Sequence, residues 1–251
     1  MGWEINHHGE CNFSSPHARR DFVNDLDRVL LNICGPGMPD SPSLEIAGPR
    51  QKLFHDPQTT TVAIITCGGI CPALNDVIRA ITNCLWYRYH VRNIMGLKYG
   101  YEGLNPGLLT SDEPTSLATS EKIDLNPAVV KDIHHFGGSI LGTSRGPQDV
   151  NVMVDFLVSR KIDILFTIGG DGTQKGALAI SEECLRRGLK ISVIGVPKTI
   201  DNDIAYMERT FGFETAVSLA QSSIRAAHEE SRSVRNGVGI VKLMGTAFSK
   251  Y

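Results

Sequence analysis

"IDILFTIGGDGTQKGALAISEECLRRGLKISVIGV" (Ile162–Val196) decides the fold. It opens with an apolar, non-alternating run, Ile162 to Ile168, too short for a helix and rich in β-branched residues, which predicts a buried strand. A glycine turn, "GGDGT", follows. Beyond it Ala177, Ile180 and Cys184 recur at helical spacing, with Arg186 and Arg187 in the last turn and Gly188 as the stop. "ISVIGV" (Ile191–Val196) is then a second buried strand. Two such strands separated by an amphipathic helix predict a parallel sheet.

The same order occurs upstream. "TTVAII" (Thr60–Ile65) leads into a glycine turn and a helix bearing Leu74, Val77, Ile78, Ile81 and Leu85 on one side. Downstream, Val217, Ala220, Ile224 and Ala227 mark another helix, and "VGIVKLM" (Val238–Met244) reads as a closing strand. The predicted fold is therefore α/β: a parallel sheet flanked by helices on both faces. Residues 1–55 carry Pro, Gly, Asn and Asp around one helical stretch, "RRDFVNDLDRVLLNI" (Arg19–Ile33), and read as an N-terminal extension.

Composition narrows the function. A chain of 251 residues with 41% apolar side chains buries a substantial core, and a formal charge of −2 offers no basic field for a nucleic-acid backbone. The longest apolar runs fall far short of the roughly 20 residues of a membrane helix. No signal-peptide or myristoylation pattern opens the chain, so a cytoplasmic location is expected, with no membrane and no nucleic-acid partner. The six cysteines include no C-x-x-C pair. They read as reduced thiols, with a redox or metal role for Cys67 and Cys71 as the alternative. The histidine pairs His7/His8 and His134/His135 read as surface or packing residues.

Four loops carry the chemistry, all at strand ends where ligands of open α/β sheets collect. "CGGICPALN" (Cys67–Asn75) supplies bare backbone and a helix N-terminus suited to phosphate, or is simply a turn. "GGDGTQKGA" (Gly169–Ala177) adds a carboxylate at its tip, suited to Mg²⁺ beside nucleotide phosphates, and Thr173 as a helix cap. "GGSILGTSRG" (Gly137–Gly146) brings Arg145, a group able to neutralise a moving phosphoryl charge. "PKTIDND" (Pro197–Asp203) gathers a lysine, a threonine and two carboxylates. Neither the G-x-G-x-x-G nor the G-x-x-x-x-G-K-[ST] phosphate-binding pattern is found.

"CGGICPALNDVIR", "YGYEGL", "GGDGTQKGA", "VPKTIDND", "FGFETAV" and "VGIVKLMG", in this order, resemble the phosphofructokinase family, in particular its longer ATP-dependent branch of plants and protozoa, over about Thr60 to Gly245. The resemblance implies phosphorylation of fructose 6-phosphate by ATP with Mg²⁺. It makes Asp201 the general base, Thr199 a contact to the transferring phosphoryl group, Lys198 a further catalytic group, and Asp203 a second carboxylate of the sugar site. It makes Asp171 the metal-linked carboxylate. Gly69, Gly170, Gly172, Thr173 and Arg145 would meet the ATP phosphates, Tyr101 would lie near the adenine, and Met244 with Gly245 would begin a sugar-phosphate contact.

The resemblance also bears on the donor. Gly172 leaves room for an α-phosphate where pyrophosphate-using relatives carry aspartate, whereas Lys198 resembles those relatives; ATP is the expected donor and pyrophosphate the alternative. It divides the chain into an extension (1–55), a nucleotide-binding α/β domain (56–212) and the start of a sugar-phosphate domain (213–251) that is expected to be truncated. Thr246 stands where the family has arginine, and Ala73 where it usually has glycine. A homo-oligomer is the family's usual assembly. Two further readings stay open: a nucleotide-binding fragment without turnover that associates with a full-length subunit, and a kinase of NAD or lipid using "GGDG" alone.

Overall fold

The computed structural model describes residues 9–17, 21–24, 26–31, 43–105 and 122–243. Its centre is a sheet of five strands in the order β7-β6-β5-β8-β9: β5 (Thr61–Thr66), β6 (Asn93–Leu97), β7 (Lys122–Asp124), β8 (Ile164–Gly169) and β9 (Ser192–Pro197). β6, β5, β8 and β9 are mutually parallel, and β7 runs antiparallel at one edge. A short antiparallel edge strand on a parallel sheet is common in α/β folds. The expectation of a purely parallel sheet is corrected at that edge alone.

Alternation along β5 divides the core. Ala63 and Ile65 face a cluster built with Met153, Phe156 and Leu157 of α2 (Val150–Ser159) and Ile180 and Cys184 of α3 (Asp171–Arg186). Val62 and Ile64 face the opposite layer, which holds Leu74 and Ile78 of α1 (Leu74–Asn83) and Leu141. Each fully buried aliphatic side chain contributes about 1.5–3 kcal/mol of transfer free energy, so the two layers fix which edges of the strands face each other. α1 runs on into a π-helical turn, Cys84–Arg88, where Arg92 lies 4.4 Å from the Trp86 ring.

The amino ends of the strands are tied together. Asp163 donates its N–H to Thr61 O (2.9 Å), accepts the Thr61 N–H on its carboxylate (2.8 Å), and accepts the Ser192 N–H on its carbonyl (2.9 Å). His55 Nε2 lies 2.9 Å from Ser192 Oγ, so the segment before the sheet is fastened to the same edge.

Three expectations are corrected. No helix forms in the described residues of the predicted helix over 19–33: Arg28–Leu30 (β2) pairs antiparallel with Ser43–Glu45 (β3), while Phe13–Ser14 (β1) pairs with Lys52–Leu53 (β4). The physical reason is local, since Asn24 Oδ1 accepts from Leu26 N (2.9 Å) and Asp27 Oδ2 from Asn24 N (3.0 Å), turning the backbone where a helix would have to pass. The predicted closing strand over Val238–Met244 is also absent from its described residues, 238–243. Residues 238–243 have no strand partner and run back along α4 (Phe213–Arg232), so closely that a Cβ on Gly239 would sit 2.6 Å from Ala227 O. Finally, the helix marked by Val217 and Ile224 exists but has no buried residue, leaving Val217, Leu219 and Ile224 exposed, so it does not cover the sheet; α1 on one face and α2 and α3 on the other do.

Candidate active site

The carboxyl edge of the sheet opens into a cleft of about 1080 Å³. Its walls come from the Cys67–Ile70 turn after β5, the Ser144–Gln148 loop, the first turn of α3, and Lys198–Asp201 after β9. Of the residues expected to bind donor or substrate, Gly69, Tyr101, Arg145, Gly170, Gly172, Thr173, Lys198, Thr199 and Asp201 all line this one cavity. Met244 and Gly245 lie outside the described residues.

Gly170 precedes α3 in extended conformation and Gly172 lies in its first turn, so bare N–H groups of an uncapped helix end face the cleft. A Cβ added at Gly172 would meet nothing within 4 Å, because the position opens onto free space. Thr173 does not cap the helix as predicted. It is the third helical residue, buried, with its side chain packed on Gly169. Asp171 begins the helix with its carboxylate 76% exposed and 2.8 Å from Lys175 Nζ, which raises the pKa of that ammonium by hydrogen bonding and charge.

Lys198 is the least expected feature. Its side chain is buried, and its ammonium donates to Gly69 O, while its backbone N–H donates to Gly169 O (2.9 Å). One residue thus links the turns after β5 and β8. Burial lowers the ammonium's pKa; the positive charge of Arg145 adds to that shift and the carboxylate of Asp201 opposes it. Burial also pushes the Cys67 thiol up to about 11 and raises that of Cys71, so both are neutral thiols at pH 7. Among the described residues, no group of three or more His, Cys, Asp or Glu side chains could hold a metal ion.

The "PKTIDND" loop is held by its own side chains. Thr199 Oγ1 accepts from Asp201 N (3.1 Å) and donates to Asp203 Oδ1 (2.7 Å). Asp203 is exposed and does not line the cleft, so it reaches the site through Thr199. Asn202 takes a left-handed conformation (φ 52°), its Oδ1 accepts from Thr210 N (2.7 Å), and Thr210 Oγ1 donates to Thr199 O (2.9 Å). Asn202 and Thr210 were not singled out from sequence. An Asn between two aspartates is a left-handed turn signal that could have flagged the first, but nothing near Thr210 marks it. Asn75 was missed too: buried, it donates to Phe136 O (3.0 Å) and accepts from Ile140 N (2.9 Å), tying α1 to the loop that carries Arg145. Lys242 and Leu243 enter the cleft wall because the segment after α4 folds back.

A largely parallel sheet with an uncapped helix end, cations and a carboxylate loop lining a cleft at its carboxyl edge defines an α/β protein of the open, ligand-cleft kind. The phosphofructokinase family model matches residues 61–249, and the chain belongs to that family. It is 52% identical over 239 residues to an ATP-dependent 6-phosphofructokinase of Entamoeba histolytica, covering 94% of this chain and 52% of that protein. It is 50% identical over 249 residues to the ATP-dependent 6-phosphofructokinase of Trypanoplasma borreli, covering 93% of this chain and 48% of that protein. The chain thus spans about half the length of the curated relatives it matches. Among solved structures, a pyrophosphate-dependent phosphofructokinase of Marinobacter aquaeolei shares the fold with a TM-score of 0.57 at 22% identity, over 68% of this chain and 42% of the other.

Proposed function

We propose that this chain carries the phosphoryl-transfer site of an ATP-dependent 6-phosphofructokinase, which moves the γ-phosphoryl group of ATP to the 1-hydroxyl of fructose 6-phosphate. The observation that carries the reading is the shared cleft: Gly170 and Gly172 of the "GGDG" turn and Thr199 and Asp201 of "PKTIDND" line one cavity. Helix-end N–H groups and Arg145 suit the donor phosphates, and Asp201 suits the hydroxyl that attacks.

In this reading the Asp201 carboxylate takes the proton of the sugar hydroxyl as its oxygen bonds to the γ-phosphorus and the bond to the ADP oxygen breaks. Lys198 and Arg145 balance charge on the phosphoryl oxygens. Thr199 meets that group by exchanging its bond to Asp203. Asp171 does not itself line the cleft and its exposed carboxylate is paired with Lys175; released from that pair, it would be the carboxylate to hold Mg²⁺, which takes one or two protein carboxylates and completes its shell with phosphate oxygens and waters. Bound there, the ion would neutralise phosphate charge and orient the donor.

ATP is favoured over pyrophosphate because Gly172 lines the cleft and opens onto free space, with no side chain of its own to stand in the way of a longer donor. The names of the 52% and 50% identical relatives favour the same donor. Fructose 6-phosphate is favoured over NAD or lipid by "PKTIDND", which a "GGDG" turn alone does not bring. Residence in the cytosol goes with this reading; no described helix is long and apolar enough to cross a membrane.

The test couples formation of fructose 1,6-bisphosphate to ADP release, with ATP and pyrophosphate offered in parallel. Turnover with ATP is the expected result. Turnover with pyrophosphate alone overturns the donor, and ATP binding without turnover supports the reading of a nucleotide-binding fragment.

A further inference from the structure

Tyr101 sits at the back of the donor cleft but has almost no surface to offer a ligand. It is 7% exposed, and its hydroxyl donates to the backbone carbonyl of Thr173 in the first turn of α3, at 2.7 Å. The ring lies flat against that helix because position 176 is glycine. A Cβ there would come within 2.7 Å of Cε2 and 2.9 Å of the hydroxyl oxygen. On its other side Tyr101 follows Gly100, whose left-handed backbone (φ 58°) packs so tightly on the end of β5 that a Cβ would meet Cys67 Sγ at 2.8 Å and Thr66 O at 2.9 Å. A 3-10 turn, Glu102–Leu104, then locks the chain, with Leu104 N donating to Tyr101 O at 3.1 Å. Burial raises the phenol's pKa far above its ordinary value, so it stays a donor at any physiological pH.

The helix end it touches has no side-chain cap; its other ties are Gln174 Nε2 to Gly169 O (2.9 Å) and the hydrogen bond between the Thr173 and Cys67 side chains, and none of them reaches the Glu102–Leu104 turn as Tyr101 does. We propose that Tyr101 is a positioning residue: it clamps the first turn of α3 through Thr173 O, with Gly176 as the socket for its ring, and thereby sets where the Gly170–Gly172 N–H groups present themselves to phosphate. This replaces the expected role of Tyr101 near the adenine, and it rests on the donor-site reading above.

The two roles separate on a donor that has no base. Binding of Mg·ATP and of inorganic tripolyphosphate is measured by titration calorimetry on the full chain, on Tyr101→Phe and on Gly176→Ala, with circular dichroism as the check on folding. The expected result is that Tyr101→Phe weakens both ligands by the same factor, about three- to tenfold, as loss of one buried hydrogen bond gives, with stoichiometry unchanged. Gly176→Ala weakens both in the same way by displacing the ring. Weakening of ATP alone assigns the ring to the base and overturns the proposal. So does unchanged affinity, or a fall in stoichiometry at constant Kd, which is the signature of mere unfolding. If the unaltered chain binds neither ligand, the donor-site reading falls first and this inference with it.

Discussion

At the scale of single residues, two side chains make opposite demands on the backbone and on chemistry. Ala73 precedes α1 with φ 69°, a left-handed conformation that an L-residue with a Cβ adopts at a cost. Ala73→Gly is therefore expected to raise stability by about 0.5–1 kcal/mol, a rise of about 1–4 °C in Tm, and thermal melting checks it. The departure from glycine was legible in sequence; the angle that makes it costly was not. Asp201 is the reverse case, since its role rests on chemistry rather than strain. Asp201→Asn is expected to lower kcat by about 10²- to 10⁴-fold while leaving Mg·ATP affinity within about twofold. A loss of ATP binding of the same size would instead make the residue part of the donor cradle. At this scale sequence gave the identity of the cleft residues but not their partners. Nothing in "PKTIDND" says that Thr199 is held by Asp203, or that Lys198 is buried against Gly69 O.

Elements were legible where burial enforces periodicity. The helix from Asp171 to Arg186 buries Ala177, Ile180 and Cys184 and stops at Gly188 (φ 66°), as its pattern predicts. Its last turn also predicts an acid sensitivity. Glu183 accepts from Arg186 and Arg187, which holds its carboxyl down at about 2 against an ordinary value of 4.5. A carboxylate with a depressed folded-state pKa stabilises fully above the ordinary value, and that contribution is lost as pH falls from about 4.5 toward 2. Glu183→Gln is expected to flatten the stability profile in that window, read by urea melts at stepped pH; an unchanged slope would show that the two arginines gain nothing from the charge. Periodicity misled where apolar residues are not buried. Val217 and Ile224 have correct helical spacing, yet their helix buries nothing, because spacing records an amphipathic face and not what covers it. Replacing Leu219 and Ile224 by Glu and Lys should leave Tm within about 2 °C, since surface changes seldom exceed 0.5 kcal/mol, and should reduce concentration-dependent light scattering. A large fall in Tm would reveal a packing role.

For the molecule as a whole, the parallel sheet was legible because non-alternating strands separated by amphipathic helices have few alternative arrangements. The carboxyl-edge location of the loops followed from that topology. The hairpin-like pairs before residue 54 were not legible, since strands of two or three exposed residues carry no periodic signal. Donor choice also belongs to this scale, because it depends on space that several loops enclose together. Gly172→Asp is expected to weaken Mg·ATP by at least about tenfold, one misplaced buried-phosphate contact being worth 1.4 kcal/mol or more, and to weaken pyrophosphate less. Competition titration measures both. Equal weakening would mean that the open space beside this glycine does not discriminate between donors.

The Asp163 and His55 ties give the two rims of the sheet different mechanical characters. The rim bearing them is bolted across three neighbouring strands, so force or bulk applied there is spread over the β-scaffold before it can reach the loops on the far side. Gln58, exposed beside that bolted rim, is consequently the natural attachment point for a surface-immobilisation handle. A sensor chip carrying the protein by this residue should report the same nucleotide affinity as the molecule in free solution.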